Sequence, residues 1–261
     1  AARAALDLAA MVPGTPATAQ AQATEAYLRM LNRDYLEAIT AAQQAIALAS
    51  EGDRATLARA YETLGAATLF LDYDRGCELL RHSMALAREL PDGGAGVADA
   101  WLMLSTASGE LYQLDAADAF LEEGMAFARS RDLDRQAAYM EAWAAVCDVH
   151  RGRWALAGER ANRLLAREAQ ASTGRVMALV ALGRLRTRRG DPGVDVEALL
   201  DEALDLAQRS GTLQRLAPVC LVRAEAAWLR RDLPGVLAEV ERVEALARSK
   251  SHPWFVGELA Y

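Results

Sequence analysis

The stretch that decides the fold is Met84-Ala85-Leu86-Ala87, because its pattern returns along the whole chain. The pattern is an aliphatic residue, then Ala or Asp, then Leu or Phe, then Ala, and the next copy reads Met125-Ala126-Phe127-Ala128. Its closing alanines recur about every 40 residues, with one double step near Glu168, and repetition of this length is typical of stacked helical repeats. The remaining copies are Leu6-Asp7-Leu8-Ala9, Ile46-Ala47-Leu48-Ala49, Leu204-Asp205-Leu206-Ala207 and the weaker Glu244-Ala245-Leu246-Ala247.

Each repeat reads as two helices, A and B, which are joined by a short polar turn. Apolar residues recur at the i, i+3, i+4 and i+7 spacing of a helix, and no stretch of useful length alternates as a strand does. Gly and Asp in turns such as Arg151-Gly152-Arg153 suit tight turns and helix caps. The predicted A helices span residues 17–32, 54–71, 97–113, 134–150, 172–189 and 213–231. The predicted B helices span residues 35–50, 75–90, 115–131, 154–169, 195–210 and 234–249, after an initial helix at 2–11.

This pattern predicts one all-α domain over residues 1–261, an α-solenoid of about six helical hairpins. Each hairpin would bury its apolar face against its neighbours, and the recurrent alanines would lie where helices cross closely. Residues 1–11 are expected to be the second helix of a truncated repeat, and residues 254–261 to begin another one. We therefore expect the sequence to be a fragment of a longer protein.

Composition limits the classes of function. The chain has 261 residues and a formal net charge of -7, which disfavours direct nucleic-acid contact because such contact relies on neutralising phosphates. Its three cysteines, Cys77, Cys147 and Cys220, are far apart, which favours reduced thiols in the core over a disulfide framework. No apolar run approaches the roughly 20 residues that cross a bilayer. A cytoplasmic protein without membrane contact is expected.

Motifs for catalysis and cofactor binding are missing from the sequence. Gly93-Gly94-Ala95-Gly96 has no following Lys-Ser/Thr, so we expect a flexible loop between repeats instead of a phosphate-binding loop. His82, His150 and His252 fall in different repeats without a second ligand at i+3 or i+4. Adjacent carboxylates such as Glu122-Glu123 are expected to be solvated helix faces. The sequence therefore predicts no catalytic residue, no cofactor, no metal site and no enzymatic activity.

Residues 101–128 resemble the tetratricopeptide repeat (TPR), a helical hairpin of about 34 residues. The large aromatic, Leu and small residue that open helix A of that repeat have counterparts here, and so do the small and apolar positions of helix B. The chain departs from the family in its longer period of about 40 residues. The matching residues are Trp101, Leu104, Ser105, Ala117, Leu121 and Gly124, and Tyr61, Leu64 and Gly65 repeat the opening in the previous unit.

The lengthened, alanine-rich repeats are similar to those of large ATP-dependent bacterial transcriptional regulators of the LuxR type and the maltose-activator-like type. The ending His252-Pro253-Trp254 with Gly257-Glu258-Leu259-Ala260-Tyr261 resembles a segment of their repeat regions. In that class a nucleotide-binding module precedes the repeats and a DNA-binding helix-turn-helix follows them. Signalling ATPases with a cyclase output and antibiotic-pathway regulators share such repeats.

The TPR resemblance implies that the A helices line a concave groove. Polar and aromatic residues of these helices are the groove candidates, whereas we expect Trp101, Trp143, Tyr112 and Trp228 to lie in the core. The groove candidates are Thr106, Glu110, Tyr139, Arg184 and Arg223.

Arginines cluster at successive A–B turns, where the regular period predicts that they share one edge. One interpretation is that cations at helix C-termini complement the helix dipole. The other is a basic edge that docks an anionic partner domain or a phosphorylated ligand. These edge candidates are Arg151, Arg153, Arg186, Arg188, Arg189, Arg230 and Arg231, next to Arg184.

Three functional hypotheses follow. The first is a non-catalytic sensor or interaction segment of a multidomain signalling ATPase, a transcriptional regulator, whose groove takes a protein partner or a small-molecule inducer and which contacts the other domains of its parent. The second is a free-standing TPR adaptor that holds other proteins together. The third is a helical-toroid hydrolase or lyase, which would need a closed cavity with clustered ionisable groups.

Overall fold

The computed structural model describes residues 16–50, 52–167, 173–190, 195–250, 256–257 and 260. Regular structure in these ranges is helical throughout, with no strand. The helices are α1 (Pro16–Leu31), α2 (Tyr35–Leu48), α3 (Arg54–Thr68), α4 (Tyr73–Arg88), α5 (Gly94–Glu110), α6 (Leu114–Arg129), α7 (Asp134–His150), α8 (Trp154–Arg167), α9 (Thr173–Arg189), α10 (Val196–Ser210), α11 (Leu213–Leu229) and α12 (Leu233–Ser249).

The predicted alternation of A and B helices is confirmed, with the odd-numbered helices as A and the even-numbered helices as B. The flexible loop expected at residues 93–96 is wrong, because Gly94–Gly96 form the first turn of α5 and Val97 N donates to Gly93 O at 3.1 Å. The predicted helix at 2–11 lies outside the described residues. Of the predicted new repeat at 254–261, residues 256, 257 and 260 are described, and they are helical.

The chain divides into two compact units, one of Ala1–Leu111 with Glu122–Gln136 and one of Tyr112–Leu121 with Ala137–Tyr261. In the first unit, each of α1 to α4 packs on the next helix in the chain, and the A helices α1, α3 and α5 also pack on one another in sequence. In the second unit, α8 to α12 follow the same scheme, with α9 packed on α11. Hairpins that bury their faces against sequence neighbours are the arrangement of an α-solenoid, as predicted.

The repeated alanines lie in the core. Ala87, Ala128, Ala207 and Ala247 are each 0–1% exposed. Ala49 is half-buried instead, because α2 ends at Leu48 and Ala49 is its extended C-cap. The expectation that these alanines permit close helix crossings therefore fits every described copy except the first.

Most of the tight turns between A and B helices contain a left-handed residue, and in some of the turns an aspartate caps the B helix. Gly152 and Gly190 have φ of +73° and +63°, while Arg33, Tyr112 and Arg231 adopt φ of +57° to +63° although they carry side chains. Asp72 Oδ1 and Asp232 Oδ1 accept hydrogen bonds from the third residue beyond them, as N-cap aspartates do. The prediction that Asp caps the B helices holds for α4, α10 and α12, whereas Asp34 before α2 makes no side-chain cap hydrogen bond. Gly fills only some of the left-handed positions.

Helices α3 and α4 lie close together at Gly76. A methyl group on Gly76 would lie 2.6 Å from the backbone N of Leu69 and 2.7 Å from its Cα, which is closer than any real Cβ contact. Gly65 faces the same crossing, since a methyl group there would lie 2.9 Å from Leu80 N. The two glycines set the distance between the helices of this hairpin.

We expect Gly76→Ala to lower the free energy of unfolding by roughly 1–3 kcal/mol, because the backbone of Leu69 would have to move. The matched control is Gly52→Ala, where a methyl group meets no atom within 4 Å. Urea denaturation of both variants measures the difference. Equal stability of the two variants would show that the crossing relaxes freely.

Candidate functional site

Three of the predicted groove residues are buried. Thr106 is 6% exposed and Tyr139 is 9% exposed, and the Glu110 side chain is 9% exposed. Their role as ligand contacts stays a prediction, and the structure shows a packing role for each.

Glu110 belongs to a buried ionic cluster that spans three hairpins. Arg33 Nη2 donates to Glu110 Oε2 at 2.7 Å, and Arg33 also donates to the Tyr35 hydroxyl. The guanidinium lies 4.9 Å from the ring centroid of Phe70, which stacks on Tyr35 at 4.6 Å. Burial lowers the pKa of Arg33, but Glu110 and Tyr35 together raise this pKa by more than burial lowers it, so the arginine stays charged. We therefore assign Glu110 to a structural contact with the first A–B turn.

The other two groove candidates lie in the second unit and are ion-paired. Arg184 Nε lies 3.1 Å from Glu225 Oε2, and its Nη1 lies 3.1 Å from His150 Nε2. Burial and the arginine lower the pKa of His150 to about 3, so this imidazole is neutral. Arg223 lies 2.7 Å from Glu239 and 2.5 Å from Asp201. Both arginines therefore join neighbouring helices.

Most of the predicted basic edge is neutralised by acidic residues of neighbouring helices. Arg153 lies 2.8 Å from Asp118 and 2.7 Å from Asp148, and Arg151 lies 3.0 Å from Asp118. Arg188 pairs with Glu225, and Arg230 lies 3.2 Å from Glu197. The other members of the edge are half-buried or exposed near the C-terminal ends of α9 and α11, namely Arg186, Arg189 and Arg231. Paired arginines offer a weaker field to an anion, so docking at this edge stays a prediction.

The aromatic residues expected in the core divide into two groups. Trp143 is 5% exposed, as predicted. The prediction is wrong for Trp228, which is 67% exposed, and for Tyr112, which is 39% exposed. Trp228 lies in the last turn of α11 and Tyr112 in the turn after α5, where the chain leaves the helix packing.

A partly open cavity of about 270 Å³ lies among the A helices of the first unit. Helices α1, α3 and α5 contribute polar side chains, and α4 with the loop after it contributes both apolar surface and the polar side chains of Ser83 and Asp92. This volume is at the small end for ligand pockets, which suits one side chain more than a large cofactor. The lining residues are Tyr27, Ala55, Ala58, Arg59, Glu62, Ser83, Ala87, Leu90, Asp92, Gly93, Gly96 and Asp99. We call this site the A-helix pocket.

Glu62 of α3 is the most unusual group of the A-helix pocket. It is 8% exposed, and no hydrogen bond or ion pair joins its carboxyl group to the described residues. Desolvation by burial and the nearby Asp99 together raise its pKa to about 8, against a smaller opposing effect of Arg59. A buried polar group without a partner is rare in folded proteins and calls for an explanation.

Asp99 of α5 supplies a second carboxylate. Its side chain is 32% exposed, accepts a hydrogen bond from Gln136 Nε2 at 3.0 Å and lies 3.9 Å from Arg135. Burial raises its pKa, and the hydrogen bond from Gln136 lowers it in part. Asp99 thus has a supporting partner behind it, whereas Glu62 has none.

Tyr27 and Arg59 occupy the α1 side of the A-helix pocket. The Arg59 guanidinium lies 5.2 Å from the Tyr27 ring centroid, and its side chain is exposed. Burial, followed by Glu62 and Asp99, raises the pKa of the Tyr27 hydroxyl, so the phenol is neutral. The pocket therefore combines a neutral hydroxyl, an exposed cationic side chain and the carboxyl groups of Glu62, Asp92 and Asp99.

Thiol and metal chemistry find no support in the described part of the chain. Cys77, Cys147 and Cys220 are buried free thiols, as predicted, and burial raises the pKa of the latter two to about 12. A protonated thiol is a poor nucleophile. Within the described ranges, no group of three or more His, Cys, Asp or Glu side chains is placed to hold a metal ion.

Sequence reasoning missed Glu62 and Asp99. It considered carboxylates that are adjacent in sequence, while these two lie in successive A helices and meet through hairpin stacking. A usable signal was present: each is an acidic residue inside an otherwise apolar A-helix stretch, Tyr61-Glu62-Thr63-Leu64 and Val97-Ala98-Asp99-Ala100. Such residues are seldom buried without a reason.

Solved structures share this fold. The chain is similar to the Rap conjugation gene regulator of plasmid pLS20 in complex with the Phr* peptide, with a TM-score of 0.72 and 12% identity over 94% of this chain and 73% of that one. It is also similar to aspartyl phosphate phosphatase F from Bacillus subtilis, with a TM-score of 0.68 and 12% identity over 92% of this chain and 64% of that one. No family model and no curated protein matches the sequence. The likeness shows a TPR-like helical-repeat fold.

None of the helices that the structure describes combines the length and apolar character that a bilayer crossing requires.

We expect Glu110→Ala to lower the free energy of unfolding by about 3–5 kcal/mol, because the buried Arg33 would lose its carboxylate. The control is Glu78→Ala, which removes the exposed partner of Arg75 and should change stability by less than about 1 kcal/mol. Thermal and urea unfolding report both values. A Glu110→Ala protein as stable as the control would return Glu110 to the set of ligand-facing candidates.

The raised pKa of Glu62 predicts a pH-dependent stability. The folded state holds the proton up to about pH 8, while the unfolded chain releases it near the ordinary glutamate value, so this group destabilises the fold as pH rises between the two values. We expect its contribution to fall by up to ~1.4 kcal/mol per pH unit in that window and to be absent from Glu62→Gln. Urea unfolding from about pH 5 to pH 9 measures the slope, with Glu78→Gln as the control. Parallel curves for wild type and Glu62→Gln would contradict the assignment.

Proposed function

We propose that this chain is a non-catalytic binding segment of a regulatory protein and that the A-helix pocket is part of its ligand-binding surface. The ligand would be a peptide or an extended segment of a protein partner. The observation that carries the proposal is Glu62, a buried carboxyl group that faces a cavity and has no hydrogen-bond partner among the described residues. A bound ligand would supply the missing interaction.

The fold supports a binding role. Stacked hairpins present the same face of each A helix in sequence, and this gives a peptide several contact points on α1, α3 and α5. A protein of the same fold, the Rap regulator of plasmid pLS20, was solved with a peptide. That observation concerns the other protein, and it supports the proposal by showing what this fold accommodates.

For the larger context, we propose that the segment belongs to a multidomain signalling ATPase, a cytoplasmic transcriptional regulator of the LuxR or maltose-activator-like type. Ligand occupancy would then bias the attached ATPase between two states, which requires different ligand affinities in the two states. The repeat style and the ending at His252–Tyr261 support this context. A free-standing TPR adaptor fits the fold equally well.

The reading frame that encodes the chain separates these contexts. A phosphate-binding loop before the repeats together with a helix-turn-helix after them would establish the regulator. Repeats without either element would establish the adaptor.

Selection from a random peptide library tests the binding role. We expect the selected peptides to share a sequence motif, to bind in the micromolar range and to protect the amides of α1, α3 and α5 from hydrogen exchange. Ala55→Trp, which places an indole in the A-helix pocket from an exposed position, should weaken binding by about tenfold or more.

Ala47→Trp is the matched control, because Ala47 is exposed on the B helix α2. Calorimetry on both variants gives the affinities. Selection without a shared motif, or equal binding by the two tryptophan variants, would overturn the proposed role of the pocket.

A further inference from the structure

We propose that the A-helix pocket recognises a basic side chain of the bound peptide, an arginine or a lysine, whose cationic head lies between Glu62 and Asp99. The inference rests on the proposed function and adds the chemical class that the pocket selects. It is carried by the arrangement of charge, apolar surface and unpartnered carboxyl oxygen in one small cavity.

Charge is the first argument. Three carboxyl groups line the cavity, those of Glu62, Asp92 and Asp99, against one guanidinium, that of Arg59. Arg59 forms no ion pair with the described carboxylates. Its guanidinium lies 5.2 Å from the centroid of the Tyr27 ring. The excess of acidic groups favours a cation and disfavours an anionic ligand.

The lining also matches the shape of such a side chain. Ala58, Ala87 and Leu90 supply apolar wall, while the carboxyl groups come from α3, from α5 and from the loop between α4 and α5. Arginine and lysine combine an aliphatic stem with a charged head, and they bury the stem along apolar surface. A cavity of about 270 Å³ has room for one such side chain.

A metal ion fits the pocket less well than an organic cation. Hard divalent ions take six or more oxygen ligands, whereas three carboxyl groups and a phenol line this cavity, and the described residues hold no metal-type cluster around it. A guanidinium or ammonium head needs hydrogen-bond acceptors in smaller number, and Glu62 has both oxygens available.

Binding of a cation would also change the protonation of Glu62. The groups that face it are Asp99 on α5, which raises its pKa, and Arg59 on α3, with Tyr27 on α1 and Arg135 on α7 nearby. A cation favours the carboxylate form, so binding releases up to one proton to the solvent. Affinity should therefore rise between about pH 6 and pH 8.5.

The first arm of the test uses small probes, N-acetylarginine methylamide and its neutral analogue N-acetylcitrulline methylamide. Titration of the full chain, followed by NMR, should show millimolar binding of the arginine probe, with shifts at Glu62, Gly96 and Asp99. The citrulline probe should bind about tenfold or more weakly. Equal binding of the two probes would overturn the proposal.

The second arm compares variants. Glu62→Gln should weaken binding of the arginine probe by about tenfold and remove its pH dependence, while the exposed Glu78→Gln should change neither. Because Glu62 is protonated at neutral pH, the glutamine variant is expected to fold. Unchanged affinity and unchanged pH dependence in Glu62→Gln would contradict the proposal even if that variant is less stable.

The third arm uses library-selected peptides and separates this proposal from the proposed function. Peptides that bind α1, α3 and α5 but tolerate citrulline or norleucine at every basic position would leave the function standing and remove the cationic subsite. If the arginine probe binds but no peptide is selected, the cationic subsite would stand and the peptide-binding function would fall, since the subsite would then serve a free small cation. Selected peptides that bind about tenfold or more tightly than the probe would support a peptide side chain as the source.

Discussion

Close approach of helix backbones is the constraint on which this structure depends. In the α3–α4 hairpin, Gly65 and Gly76 leave no room for a methyl group, and at the ends of the B helices Ala87, Ala128, Ala207 and Ala247 are buried. Small residues at fixed intervals set the distance at which each hairpin packs on the next. The period of about 40 residues thus reflects a repeated need for small side chains at helix contacts, and it does not reflect a repeated functional group.

That close packing brings charged side chains of neighbouring helices together, both within a hairpin and between hairpins. Asp148, 2% exposed, lies between Arg153 and Arg160, and Glu225 joins Arg184 and Arg188. Buried charges of this kind are retained only when they are paired. Glu62 is the contrast, because its carboxyl group has no partner in the described part of the chain, and a cavity lies in front of it.

The fold was predictable because the sequence signals of each hairpin lie within that hairpin. The signature alanines, the Asp-containing turns and the i, i+3, i+4 apolar spacing each lie within one repeat, and all twelve described helices follow from them. The site was not predictable in the same way. Whether Glu62 faces Asp99, or Glu110 faces Arg33, depends on the register between hairpins, and a shift of one residue turns a helical side chain by about 100°. The exposure of Trp228 was missed for the same reason, since hydrophobicity does not say where packing ends.

The buried Arg33–Glu110 pair reaches across a whole repeat. Arg33 lies in the turn of the first described hairpin, its guanidinium covers Phe70 at the end of the second A helix, and its carboxylate partner ends the third. Linear repeat proteins gain cooperativity from contacts between adjacent units, and each unit can fray on its own. An ion pair between the first and third described hairpins removes that independence. The first three hairpins should consequently unfold as one cooperative unit, and a change that destabilises one of them should destabilise all three.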